Sequence, residues 1–469
     1  MASETAQEIT PDQLFQRAAA LHQRGRIDLA ITAYRKILQM APGHVGGWGN
    51  LGVALRTKGD YEAAVVAYKR ALEIVPGDPG ITGNLGNALK DIDRLDEALA
   101  AHRSAAAALP DDFNIRYNHG IALREAARYE EALAELEAAI ALKPDAPHPQ
   151  WDRAIALLHL GRFEEGWAAY EARWKTGDLP ERPKAVPRWQ GEVFEGKRLL
   201  VFAEQGFGDS ILTSRLIPLI KERAGEGSNA GRVILECKAP LQDLFSEIAG
   251  IDRMVEPGEA VGDYDLEVPI MSLPGVFNVS DDRLPPPAKL HIPDYARKKA
   301  RVLLRQDDRF KVGIVWSGSV TFKGNRKRAV GVENFLPFAE VPGVDLYALQ
   351  KGPRSGDLEA AGAGAVVTAI GEKLDSFAET AAVIEALDLV IMTDSSVAHL
   401  AGSLGRPIWN LLNKATYWLY RGEGETTPWY PSMKLFRQKD AGAWEPVFER
   451  VKDELAEAVA AKRAGNWPR

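Results

Sequence analysis

Gly59-Asp-Tyr-Glu-Ala-Ala64, Arg94-Leu-Asp-Glu-Ala98 and Arg128-Tyr-Glu-Glu-Ala132 are three copies of one phrase, spaced by 34 residues. Working outward, Gly52, Gly86 and Gly120 keep the same spacing, and each copy closes on a proline: Pro42, Pro76, Pro110 and Pro144. A period of this length is that of a helix–turn–helix unit. One such unit cannot bury its apolar face alone, so successive units stack into a solenoid. Four units fit the frame, starting at Pro11, Val45, Pro79 and Phe113. A fifth, from Pro147, keeps Leu157, Gly161 and Phe163, has Gly166 where alanine is expected, and dissolves into Trp167-Ala-Ala-Tyr-Glu-Ala-Arg-Trp174. Trp167, Tyr170 and Trp174 stand at helical spacing, which suits the core of a capping helix or a stacking surface for a ligand.

These units resemble the tetratricopeptide repeat, which implies a solenoid over residues 11–175 whose inner face holds another polypeptide. At the sixth position of successive units stand Gln16, Asn50, Asn84, Asn118 and Asp152. Residues at one register line up in space, and a row of amides can bond the backbone of an extended chain without reading its side chains. They can equally cap bonds between neighbouring helices. The layout is similar to the asparagine ladder of the eukaryotic O-GlcNAc transferase, which implies acceptor binding by this row.

The whole chain has 469 residues, enough for two or three domains, and a formal charge of −7. An acidic balance argues against a nucleic-acid binder. The single cysteine, Cys237, excludes an intrachain disulfide and reads as a small core residue. Met1 to Glu8 lacks a basic region followed by an apolar one, so no signal peptide is expected, and no apolar run is long enough to span a membrane. A cytoplasmic protein is the expectation.

After the repeats the period changes. Pro180, Pro183 and Pro187 forbid a continuous helix, so 176–195 is expected to be a linker. Strand Lys197–Ala203, helix Asp209–Arg223, strand Arg232–Cys237 and helix Leu241–Ile248 then alternate. The proline run Leu284–Ala288 interrupts them. A second alternation takes in strands Lys311–Trp316, Asp345–Leu349, Ala365–Thr368, Leu387–Met392 and Pro407–Leu412, with helices Ser376–Ala386, Ser396–Leu404 and Glu445–Ala461. Alternation of this kind predicts parallel sheets covered on both faces, here as two Rossmann-like halves at 196–295 and 308–465 with a cleft between them. Ligands of such folds sit at the carboxyl ends of the strands.

Three stretches could carry chemistry. Glu204-Gln-Gly-Phe-Gly-Asp209 follows the first strand; Gly206 and Gly208 allow a tight turn, and Asp209 stands at a helix start, as an N-cap or as a reacting carboxylate. In Asp394-Ser-Ser-Val-Ala-His399 a strand runs into a helix, where Ser395, Ser396 and free backbone N–H groups make an anion site. His399 lies one turn in, as core or as ligand. Lys323-Gly-Asn-Arg-Lys-Arg328 is a solvated charge run or a phosphate grip through Arg326 or Arg328. It follows Trp316-Ser317-Gly318, and Gln350 and Lys351 point to the same rim.

Glu204–Asp209, Val315-Trp-Ser-Gly318, Leu349-Gln-Lys351, Asp394–Gly402 and Pro428-Trp-Tyr-Pro431 occur in this order. Together they resemble bacterial tetratricopeptide-fused GT-B glycosyltransferases with a heptosyltransferase-like catalytic half. The resemblance implies an inverting glycosyltransferase. Asp209 would be the base on an acceptor hydroxyl. Gly206, Gly208, Trp316, Ser317, Gly318, Arg326, Arg328, Gln350, Lys351, Asp394, Ser395, Ser396 and His399 would hold a nucleotide sugar. It implies a protein acceptor in the repeat groove, with flagellin the first candidate. No Asp-x-Asp element of the kind that holds a divalent ion on a diphosphate is apparent, so no metal or other cofactor is expected. A saccharide-modifying transferase and a non-catalytic adaptor are the rival readings.

Overall fold

The computed structural model describes residues 9–180, 182, 186–322 and 324–468. The N-terminal octet read for a signal peptide, Pro183 of the expected linker and Lys323 of the basic run lie outside the described residues. The chain divides into two compact units between Ala156 and Leu157.

The first unit is built of antiparallel helix pairs: Pro11–Gln23 with Ile27–Met40, Val45–Lys58 with Tyr61–Ile74, Pro79–Asp91 with Leu95–Ala108, and Phe113–Glu125 with Tyr129–Leu142. The first helix of each pair is started by a side chain. Thr10 closes a capping box with Gln13, and His44, Asp78 and Asp112 accept from the N–H groups of Gly47, Ile81 and Ile115. The glycine series has a packing cause. A Cβ on Gly52 would lie 2.6 Å from the Tyr68 ring, one on Gly86 2.8 Å from His102, and one on Gly120 2.9 Å from Leu136. The opposing positions again repeat every 34 residues. Burying a side chain of this size is worth roughly 1.5–3 kcal/mol, so the glycine is the condition for each pair's core. Ala30, Ala64, Ala98 and Ala132 are fully buried beside them.

Among the polar contacts that tie neighbouring pairs, three recur at a separation of 35 residues: Arg56 to Asp91 at 2.6 Å, Lys90 to Glu125 at 2.9 Å, and the Tyr117 hydroxyl to Asp152 at 2.7 Å. The helix Pro147–His159 begins the fifth pair, and Phe163–Tyr170 ends it in the second unit, followed by a 3-10 turn, Glu171–Lys175. Trp167 and Tyr170 are buried, and the Trp167 indole donates to the Val279 carbonyl at 2.8 Å, as a capping-helix core requires.

The second unit holds two parallel sheets. The first contains β1 (Arg198–Phe202), β2 (Arg232–Glu236), β3 (Arg253–Val255) and β4 (Leu266–Pro269), in the order β3-β2-β1-β4. The second contains β5 (Phe310–Val315), β6 (Val344–Ala348), β7 (Val367–Ala369), β8 (Leu389–Thr393), β9 (Ile408–Leu412) and β10 (Met433–Arg437), in the order β10-β9-β8-β5-β6-β7. Every pairing is parallel. β3, β4 and β10 are short or charged and escape the sequence pattern. So does the helix Asp294–Leu303. The expected helix from Asp209 to Arg223 breaks into Phe207–Thr213, a 3-10 turn and Ile217–Lys221, with Pro218 at the break. Cys237 is buried, and burial pushes its thiol up to about 12.

Described residues of the stretch expected as a linker contact the first sheet. Arg188 bridges to Glu267 as an added parallel partner of β4, and the Trp189 N–H donates to the Glu267 carbonyl at 2.9 Å. Arg182 grips Glu236 of β2 with two bonds of 2.8 Å, and its guanidinium lies over the Phe202 ring. The Arg188 guanidinium lies over the same ring. Two strand glutamates, Glu236 and Glu267, are buried beneath them.

Candidate functional site

In the second sheet the strand order reverses between β5 and β8. Crevices outside the carboxyl ends of strands at such a reversal are where doubly wound folds take ligands. Trp316-Ser317-Gly318 leaves β5 there and Asp394-Ser395-Ser396 leaves β8. Asp394 is buried; one oxygen accepts from Arg328 at 3.0 Å and the other from the Tyr420 hydroxyl at 2.9 Å. Ser395 caps the following helix, Ser396–Ser403. Burial presses the His399 imidazole below its ordinary value against the pull of Asp394 and Asp209, so the ring is neutral near pH 7. Its Nδ1 lies 3.2 Å from the Tyr430 hydroxyl.

Asp209 comes to the same place from the first sheet. Gly206 caps the helix Phe207–Thr213, and its N–H donates to one Asp209 oxygen at 3.0 Å. The other oxygen accepts from the Tyr417 hydroxyl at 3.0 Å. The close approach that Gly208 permits is to the other sheet's helix: a Cβ there would lie 2.7 Å from the His399 ring and 3.4 Å from the Ser396 backbone. Asp209, Gly208, Ser396 and His399 therefore form one cluster, with Arg328 and Asp394 in the next layer.

The remaining expected residues are spent differently. Trp316 and Ser317 are buried, and their N–H groups donate to the Gln350 amide oxygen at 3.2 and 3.0 Å. Gln350 thus shapes the loop after β5 from within. The Gly318 N–H donates to Asn325 at 2.9 Å, and Lys351 reaches the Leu374 carbonyl. Arg326 is exposed on the short helix Asn325–Arg328. The sequence does contain Asp-x-Asp triplets, Asp91-Ile-Asp93 and Asp263-Tyr-Asp265. The second pairs loosely with Arg198 at the amino ends of β1 and β4, the opposite end from the crevice. Among the described residues no group of three or more His, Cys, Asp or Glu is placed to hold a metal.

In the amide row of the repeats, Gln16 and Asn84 are exposed and Asn50 and Asn118 half-buried, whereas Asp152 is buried and bonded to Tyr117 and Arg124. Gln16 and Asn84 are thus open, Asn50 is engaged by the Tyr34 side chain, and the fifth member of the row staples repeats together.

Sequence reasoning missed Tyr417, Tyr420, Arg215 and Arg173. Arg173 is buried, donates to Glu204 at 3.0 Å and to Ser272 at 2.7 Å, and so fills the reversal point of the first sheet between β1 and β4. Burial pushes the Glu204 carboxyl upward and Arg173 offsets this only in part. The aromatic density of residues 417–430 was the available signal. A cavity of about 430 Å³ between the helix Phe163–Tyr170 and the end of β4 is lined by none of the expected site residues.

Residues 15–79 and 117–178 match one tetratricopeptide-repeat family profile and residues 55–118 match another. Protein FlbA of Caulobacter vibrioides is 29% identical over 317 residues, a match that takes 62% of this chain and 52% of FlbA. The chain spans about half the length of this curated relative. The repeats occupy less of the chain than the match does, so the similarity reaches beyond them. Among solved structures, TTC0263, a thermophilic TPR protein in Thermus thermophilus, is 21% identical, with 36% of this chain and 92% of that one covered at a TM-score of 0.32. MamA from Desulfovibrio magneticus RS-1 is 20% identical, with 35% and 92% covered at a TM-score of 0.32. Among the described residues no helix is long and apolar enough to cross a membrane. The chain joins a tetratricopeptide-repeat segment to an α/β region with two parallel sheets.

Proposed function

We propose that this chain is a GT-B-type, inverting, metal-independent glycosyltransferase that moves a sugar from a nucleotide sugar to a protein held by its repeats. One observation carries the reading: the helix start that bears a partly open carboxylate, Asp209, packs through Gly208 against the serine-rich helix start at Ser396, at the carboxyl ends of strands from two different parallel sheets. Inversion needs one base to take the acceptor's proton while fixed donors neutralise the departing diphosphate. Asp209 has the chemistry of the first. The helix dipole at Ser396, its N–H groups and Arg328 have the chemistry of the second. The row of amides Gln16, Asn50, Asn84 and Asn118, exposed at Gln16 and Asn84, suits an extended acceptor. Resemblance to flagellin-modifying enzymes makes flagellin the acceptor to test first.

The experiment is transfer from labelled nucleotide sugars to flagellin by the full chain and by Asp209→Asn, with calorimetric titration of uridine, guanosine and adenosine diphosphates. Asp209→Asn is expected to lower turnover by roughly 10²-fold or more with diphosphate affinity kept, as loss of a general base does. Turnover near that of the unmodified chain would remove Asp209 from this role.

A non-catalytic adaptor is the second reading, and one observation favours it. All four carboxylate oxygens of Asp209 and Asp394 already have partners within the chain. Absence of both diphosphate binding and transfer would select it.

A further inference from the structure

The segment after β9 carries three tyrosines, and each hydroxyl meets a different member of the site: Tyr417 meets Asp209, Tyr420 meets Asp394 and Tyr430 meets His399. Burial first, and the neighbouring carboxylate second, raise the Tyr417 and Tyr420 hydroxyls well above their ordinary value. They are therefore hydrogen-bond donors at any working pH, not acids or bases.

The segment is held from several sides. Trp418 packs edge-on against Trp167 and Trp429 with ring centroids 5.0 and 5.1 Å away. The Arg421 backbone takes φ 60° and ψ −175°, a region almost reserved for glycine. Its guanidinium reaches the Leu158 carbonyl, bonds Asp281 at 2.6 Å and lies over the Phe163 ring. The Thr416 hydroxyl steadies this strained turn by donating to the Arg421 carbonyl at 2.8 Å. A segment anchored this firmly can set the geometry of what it touches.

Asp209 belongs to the first sheet and Tyr417 to the second, 208 residues later. One carboxylate oxygen is fixed locally by the Gly206 N–H; among the described residues the other is bonded only by Tyr417. We propose that Tyr417 is a positioning residue that clamps the Asp209 carboxylate from across the boundary between the two sheets, so that the base is oriented only when both sheets are in place. This rests on the reading of Asp209 as the base. A carboxylate rotates easily about its last bond, and a small misplacement of a reacting group is costly in rate.

The test uses the full chain, Tyr417→Phe, Asp209→Asn and the double variant. Tyr417→Phe is expected to lower kcat by about tenfold or more with the donor KM unchanged, the loss of one charge-assisted hydrogen bond. The double variant should be no slower than Asp209→Asn alone, because the hydroxyl acts only through the carboxylate. Losses that multiply, or a KM effect with kcat kept, would overturn the proposal. If the unmodified chain transfers nothing, the functional reading fails and the clamp is judged by thermal unfolding of Tyr417→Phe, Asp209→Ala and their combination. Melting-temperature losses that fall short of adding support the clamp; losses that add in full overturn it.

Discussion

The repeats and the α/β region use hydrogen bonds over very different distances along the chain. In the repeats, polar ties between neighbours recur at a separation of 35 residues. In the α/β region, the Asp209 carboxylate is completed from 208 residues away and the Trp429 carbonyl is reached by Arg215 across 214. A quasi-one-dimensional stack lets each unit depend only on its neighbours. A site at the carboxyl ends of parallel strands must gather residues from every crossover. The first arrangement prints itself in the sequence as a period; the second does not.

This difference can be tested by damage that should stay on one side. The largest effect expected is from Arg173→Met. It leaves Glu204 buried without its cation, and breaking such a pair costs about 3–5 kcal/mol near neutral pH. The cost shrinks in acid, because burial already favours the neutral form of Glu204. Hydrogen exchange read segment by segment should speed up in β1 and β4 and stay unchanged through 45–142. Equal acceleration in the repeats would mean that the two regions unfold together.

The next effect belongs to the repeats. His102 is fully buried, neither ring nitrogen has a hydrogen-bond partner among the described residues, and burial lowers its pKa to about 3. The unfolded chain binds a proton there from about pH 6.5 downward while the folded one does not. Stability is therefore whole above pH 6.5 and falls as pH drops toward 3, by up to about 1.4 kcal/mol per pH unit. His102→Leu should flatten this slope, since Leu136 fills the same register one repeat later. Denaturant midpoints at pH 7, 5.5 and 4 check it; parallel slopes for the two chains would reject it.

Two alanine substitutions in one helix give the smallest and sharpest contrast. A Cβ on Gly52 would press on the Tyr68 ring, whereas one on Gly49 would meet nothing within 4 Å. Gly52→Ala should cost about 1–3 kcal/mol by overpacking. Gly49→Ala should stabilise by roughly 0.5–1 kcal/mol, because alanine loses less backbone freedom in a helix interior. Thermal melts suffice, and shifts of the same sign would break the argument that the period encodes packing contacts.

Asp209, Ser396 and His399 were legible because each stands where a strand hands over to a helix, a local pattern. Gln350 and Trp316 were legible as positions but not as roles, since only the folded loop shows the amide turned inward on the backbone. Tyr417, Tyr420 and Arg173 left no spacing to read.

By itself the sequence determined the repeat architecture, most of the parallel strands and the strand ends where chemistry could sit, because period, burial pattern and turn chemistry act over a few residues. The tertiary structure alone decided that Arg182 and Arg188 pack onto a sheet, that Asp152 is a staple while Gln16 and Asn84 stay exposed, and which hydroxyl holds which carboxylate. Those outcomes depend on side chains brought together by closure of the whole unit, and no local rule carries the distance between them.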